Sequence, residues 1–177
     1  GADELKIIRK LAKTVIEIAK RNPAQKDRVA FNWRLFCDVG LVTDVMRCIE
    51  ATLAQAKQND DTKSIALCLL AMSERQRLSG NLNAAGEHLR QLEVFELVKN
   101  DSPWRAELLH QQSMVAWERG DFGEAKCLLR QSIDIWKELG VARRFIILKE
   151  RVATFFEEKG DLERAVHIYE EVIEYMR

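Results

Sequence analysis

A chain of 177 residues, 47% apolar and 32% charged, is long enough for one domain with a sizeable core. Its 28 Lys plus Arg balance 28 Asp plus Glu. The chain therefore lacks the basic excess that phosphate binding demands, which argues against nucleic acid as the main partner. No run of eighteen apolar residues is present to span a membrane, and Asp3, Glu4, Lys6 and Arg9 interrupt any signal-peptide-like stretch.

In chain order, residues 1–20 predict a leading helix. Leu5, Ile8, Leu11, Ala12, Val15, Ile16 and Ile18 recur at helical spacing before Ala19. This segment reads as the second helix of an earlier repeat or as a cap on a stack. In residues 21–60, Asn22-Pro23 precedes a helix running through Val39, and Gly40 leads into another. In residues 61–100, Asp60-Asp61-Thr62 caps a helix through Leu78, and Gly80-Asn81 opens its partner. In residues 101–140, Asp101-Ser102-Pro103 offers a cap followed by proline at the first turn, and Gly120-Asp121 opens the next helix. In residues 141–177 the chain turns between Leu139-Gly140 and Arg143, and Gly160-Asp161 opens the last helix. The expectation is an all-α domain over 1–177, with about nine helices in about four antiparallel pairs.

The organising feature is an internal repeat. Gly40, Gly80, Gly120 and Gly160 stand forty residues apart. After each of the last three comes Asn or Asp, then an apolar residue, and then alanine at the fifth position: Ala85, Ala125 and Ala165. Glycine closes one helix in the left-handed conformation and the Asx residue caps the next, with Asp121 and Glu124 fitting a capping box. Seven positions before each glycine lie Ser73, Ser113 and Ala153, small residues that leave room for the partner helix. The first copy is degenerate, with Trp33 and Val45 at these two positions. The second helices are amphipathic. Leu162, Ala165, Ile168, Tyr169, Val172, Ile173 and Met176 share one face, as do Phe122, Ala125, Leu128, Leu129, Ile133 and Trp136.

A small residue in one helix and Gly-Asp-x-x-x-Ala at the next resemble the tetratricopeptide repeat, TPR, well over residues 61–177 and weakly over 1–60. The forty-residue spacing exceeds the usual thirty-four. It is similar to the longer repeats of maltose-regulator-type transcription activators and related signalling ATPases. Comparable hairpins occur in the FAT region of the very large kinases related to lipid kinases. The resemblance implies an α-α superhelix and an interaction surface, and suggests a fragment of a larger protein.

No phosphate loop and no H-E-x-x-H are present. Cys37, Cys48, Cys68 and Cys127 fall on predicted helices without a C-x-x-C pair, and read as structural thiols of a reducing compartment, cytoplasm or nucleus. His88 and His167 read as surface or boundary residues. Glu157-Glu158 and Glu170-Glu171 read as solvated helix faces. No catalytic residue, metal or cofactor is expected.

In a TPR-like array the first helices line a concave groove. Register with the repeat glycines places Arg34, Glu74, Arg77, His110, Met114, Trp117, Glu150 and Thr154 there. His110, Met114 and Trp117 lie one turn apart, as a peptide-binding patch would require, although Trp117 also fits a core position between hairpins. Trp33 and Trp136 read as core. The chaperone-tail clamp of the family is disfavoured, because its positions carry Ala30, Leu70, His110 and Glu150. The expected function is a non-catalytic scaffold that binds a protein or peptide in a groove or along an edge. The alternatives are a ligand-sensing regulatory segment of a larger signalling or transcription-regulating ATPase, and a FAT-type helical scaffold. Leu162, Ile168, Tyr169, Val172 and Met176 form an uncapped array end, which predicts homodimerisation through that end.

Overall fold

The computed structural model describes residues 2–22, 29–30, 32–99, 102–158 and 160–175. Its regular elements are all helical: α1 (Ala2–Arg21), α2 (Trp33–Asp38), α3 (Val42–Gln58), α4 (Thr62–Leu78), α5 (Leu82–Glu93), a 3-10 turn (Glu96–Val98), α6 (Pro103–Glu118), α7 (Phe122–Glu138), α8 (Ala142–Glu158) and α9 (Leu162–Tyr175). The fold is all-α, with neighbouring helices packed as pairs. The expected helix between Pro23 and Val39 is described at α2. Pro23, Asp101 and Met176 lie outside the described residues.

The helix ends explain the spacing. Gly40, Gly80, Gly120 and Gly160 have positive φ, as the repeat requires, and so do Gly140 at 66° and Asp60 at 51°. Among the described residues, left-handed residues therefore stand at positions 40, 60, 80, 120, 140 and 160, so a twenty-residue step underlies the forty-residue glycine period, whereas α5 ends on Val94 in the right-handed region before the 3-10 turn. The five glycines each close their helix with the paired bonds of the Schellman type. Asp121 N donates to Ala116 O at 3.0 Å and Gly120 N to Trp117 O at 2.9 Å; Asp61 N likewise donates to Ala56 O at 2.9 Å. An aspartate tolerates the left-handed region better than most residues, which is why the link before α4 carries no glycine.

The next residue begins the following helix. Asp61, Asp121 and Asp161 accept from the backbone N–H three positions on, at 3.2, 3.2 and 3.3 Å. Ser64 Oγ also donates to Asp61, and these bonds hold the Asp61 carboxyl below its ordinary range. Ser102 caps α6 by accepting from Arg105 N, with Pro103 in the first turn. Asn81 departs from the expected pattern: it holds the cap position of α5 without a side-chain bond. A neutral amide gains less than a carboxylate from the positive end of a helix.

The chain divides into two compact units, Gly1–Leu97 and Val98–Arg177. In the first, α1 and α2 pack on α3, α3 on α4, and α4 on α5. Its core joins Ile16 and Ala19 of α1, Trp33 and Phe36 of α2, Val45, Cys48 and Ile49 of α3, and Cys68 and Ala71 of α4. In the second, α6, α7, α8 and α9 pack in sequence. One core gathers Leu109, Ile133, Trp136, Phe145 and Leu148, and a smaller one Ala153, Phe156, Ala165 and Ile168. Trp33 and Trp136 are core residues, as expected. The four cysteines are free thiols, of which Cys48 and Cys68 are buried.

The repeat's small residues sit where helices cross most closely. Ser73 and Ala85 are both 0% exposed, and Ser73 Oγ donates to Ala85 O at 3.0 Å. Ser132 repeats the device across α6 and α7, donating to Ala106 O at 2.7 Å. Ser113, Ala125, Ala153 and Ala165 are also buried. A hydroxyl on a carbonyl satisfies a polar atom while adding almost no bulk, so the helices keep their approach.

Two apolar faces differ from expectation. On α1, Ile16 and Ala19 are buried and Ala12 packs partly buried against the same core, while Leu5, Ile8, Leu11, Val15 and Ile18 are exposed. On α9, Ile168 and Val172 are buried, while Leu162, Val166 and Ile173 form the exposed line instead. Phe122, expected on the buried face of α7, is 43% exposed and meets Trp117 edge-on with ring centres 5.2 Å apart.

Enlarging the α4–α5 contact should cost more than deleting its hydrogen bond. Ser73→Ala is expected to lose about 1 kcal/mol in urea melts, and Ser73→Leu about 2–3 kcal/mol. Equal losses would show that the crossing is not tightly packed.

Candidate functional site

A cleft of about 840 Å³ opens within the second unit. Ala125, Leu129 and Ile133, spaced at one-turn intervals, face inward from α7. Phe145, Val152 and Phe156 come from α8, and Ile168 and Tyr175 from α9. The α6 contribution is Ser113, Met114 and Trp117. Phe145 and Tyr175 stack tilted with ring centres 4.3 Å apart.

The rim is charged. Lys126, Arg130, Asp134 and Lys137 border it from α7, Lys149 and Arg151 from α8, and Glu171 and Glu174 from α9. That is five basic and three acidic side chains, in a chain whose total charge is zero. Lys149 is engaged by Glu171, and its Nζ stands 5.9 Å over the Phe145 ring. Lys126 Nζ lies 5.5 Å over Phe156, with the Arg164 guanidinium 5.6 Å from the same ring. Arg151 Nη1 donates to Met114 Sδ at 3.7 Å.

The predicted groove residues divide. Met114, Trp117 and Thr154 line the cleft. Glu150 is exposed and does not line it. His110, expected one turn along the same patch, is buried at 6% exposure. In the first unit, Glu74 accepts a hydrogen bond from Trp33 Nε1 at 3.2 Å and pairs with Arg34, while Arg77 is buried at 8% exposure. Trp33, Arg34 and Glu74 thus tie α2 to α4, with the Arg34 side chain still half exposed. Helices α4 and α6 bury residues around most of their circumference, including Ser64, Ile65, Ala66, Cys68 and Leu69 on α4. A first helix so enclosed presents little of its length to solvent.

His110 instead joins a polar knot that sequence reasoning did not find. Its Nδ1 lies 3.6 Å from Glu107 Oε1, outside hydrogen-bond range but close enough for electrostatic attraction. Gln111 Nε2 donates to the same oxygen at 3.4 Å, and Arg144 of α8 approaches Glu107 Oε2 at 3.3 Å. The Arg144 guanidinium also stands 5.6 Å from the Trp136 ring, joining α6, α7 and α8. Burial opposes ionisation of Glu107, but His110, Arg144 and the Gln111 amide outweigh it and hold the carboxyl down at about 2. The basic stripe of α7 was missed as well. Its signal was Lys126, Arg130 and Lys137 on one side of an otherwise mixed helix.

Among the described residues, no group of three or more His, Cys, Asp or Glu could hold a metal ion. Among them, no helix is long and apolar enough to cross a membrane. No family model matches the chain, and no curated protein matches it.

Glu107 should make the stability of the fold depend on acid. Its folded value lies below its ordinary 4.5, so its stabilisation is present above that value and is lost as pH falls toward about 2. Glu107→Gln should cost about 1–3 kcal/mol in urea melts at pH 7 and flatten the acid limb of a stability–pH curve. An unchanged acid limb would remove Glu107 as its source.

Proposed function

We propose that this chain is a non-catalytic protein-interaction module of TPR-like helix pairs, and that a peptide or helix of another protein seats in the α6–α9 cleft. The observation that carries this reading is the cleft itself. An apolar floor is supplied by four helices, whose hairpins are held rigid by capped links, and a charged rim surrounds it. Interfaces draw their affinity from a few buried anchors within a polar border, and Trp117 and Met114 are anchor types at the cleft wall. A preformed floor spares the entropy of ordering a loop on binding. No catalytic role is assigned to any residue, and no cofactor. Cytoplasm or nucleus is the compartment proposed.

The cleft volume also lies in the range of small-molecule sites, which favours a second reading as a sensor segment of a larger signalling or transcription-regulating ATPase, or as a FAT-type scaffold. The two readings separate by experiment. Pull-downs from cell extract should recover a partner with the native chain. That partner should be lost, by at least about tenfold, with Trp117→Ala/Met114→Ala and with the milder Met114→Glu, each checked for native helicity by circular dichroism. Full retention by both variants would move recognition to an edge or end. No partner, together with a rise in melting temperature on adding a metabolite extract, would sink the protein-binding reading in favour of the sensor.

Self-association through the α9 face is proposed beside it, because Leu162, Val166 and Ile173 are 63%, 55% and 48% exposed along one line. Sedimentation should show a concentration-dependent dimer that Val166→Glu returns to monomer. A native chain that stays monomeric across the accessible range would exclude that contact.

A further inference from the structure

We infer that the occupant of the α6–α9 cleft is an acidic amphipathic helix of another protein. Its apolar side lies on the floor and its carboxylates lie along the α7 edge. The inference rests on the reading of the cleft as a docking groove and adds the chemistry of what fits there.

The argument is charge complementarity on an apolar base. Lys126, Arg130 and Lys137 lie along one side of α7 at the cleft edge, and all three are exposed. From Lys126 to Lys137 the stripe runs about 16 Å, the length of three helical turns. A partner helix of three turns matches it end to end.

The rim is also asymmetric, which sets register. Asp134 interrupts the basic stripe between Arg130 and Lys137. A carboxylate on the partner is therefore favoured near Lys126 and Arg130 and again near Lys137, but not at the turn between. On the far side, Glu171 and Glu174 of α9 line the cleft, and Lys149 is already engaged by Glu171. That edge repels carboxylates. The partner is acidic on one flank only, with a neutral or basic opposite flank. The inward face needs aliphatic side chains one turn apart to reach Leu129, Ile133 and Phe156, and the Trp117–Met114 wall closes one end.

The test uses a labelled helical peptide of about 14 residues with leucines at heptad spacing, glutamates on one flank and glutamines on the other. Its control carries lysines in place of the glutamates. Fluorescence anisotropy with the whole chain should show the glutamate peptide binding at least about tenfold more tightly than the lysine peptide, with the difference shrinking as salt rises. Arg130→Glu/Lys137→Glu, which alters two exposed side chains, should reverse the preference while circular dichroism stays native. Equal binding of both peptides would overturn the inference and leave the docking groove standing. Undiminished binding of the glutamate peptide to the double variant would also overturn it. If neither peptide binds up to about 1 mM, the acidic-helix inference falls. The groove itself falls only if Met114→Glu also leaves the cell-extract partner in place.

Discussion

A left-handed residue after each of α2, α3, α4, α6, α7 and α8 constrains where the neighbouring helices can fall. The turn it makes is short and rigid: the following residue bonds back to a carbonyl of the last helical turn, as Asp121 does to Ala116, and then caps the next helix. With so little chain between them, two helices must run back along one another. They touch at a fixed offset from the turn, and at that offset the chain carries Ser73 against Ala85, and Ser113 and Ala125 one repeat later. The hydrophobic cores are consequences of this spacing. Ile133 and Leu148, for example, reach one core because the Gly140 link sets α7 and α8 side by side.

This dependence explains what was legible in the sequence. Turn chemistry is local, so the glycines, the Asx caps and the small residues could be read directly. They gave the helix pairs and their boundaries. The reading was least complete where chemistry was substituted without changing geometry. Asp60 takes the left-handed place of a glycine, and Gly140 sits at a link with no Asx residue after it. Both links read as a cap or a turn from sequence, but not as sharing the left-handed geometry of the forty-residue glycines.

The candidate site was legible only in part, for a different physical reason. Periodicity shows which residues share a face, but not what lies opposite. His110 shares a helix face with Met114 by spacing, yet it lies beside Glu107, which Arg144 of α8 approaches in turn, and it is enclosed. The stripe on α7 has the opposite history. Lys126, Arg130 and Lys137 look like an ordinary solvated face in one helix, and become a rim only because Phe145 and Phe156 of α8 leave an apolar floor beside them. Charge patterns acquire meaning from the surface they border, which no single helix reveals.

The polar knot and the cleft bear on each other through Arg144 and Phe145, neighbours on α8. Arg144 is held by Glu107 and lies over Trp136, while Phe145 turns into the cleft and stacks on Tyr175. The carboxylate that stays ionised down to about 2 therefore anchors the start of the same helix that supplies one wall of the cleft. Glu107 is the more enclosed partner, so losing Arg144 would leave a largely buried carboxylate to Gln111 and His110 alone. The start of the α8 wall is thus positioned by contacts that lie outside the cleft. In the reading proposed above, a partner would meet a wall already in place and would not first have to order the protein.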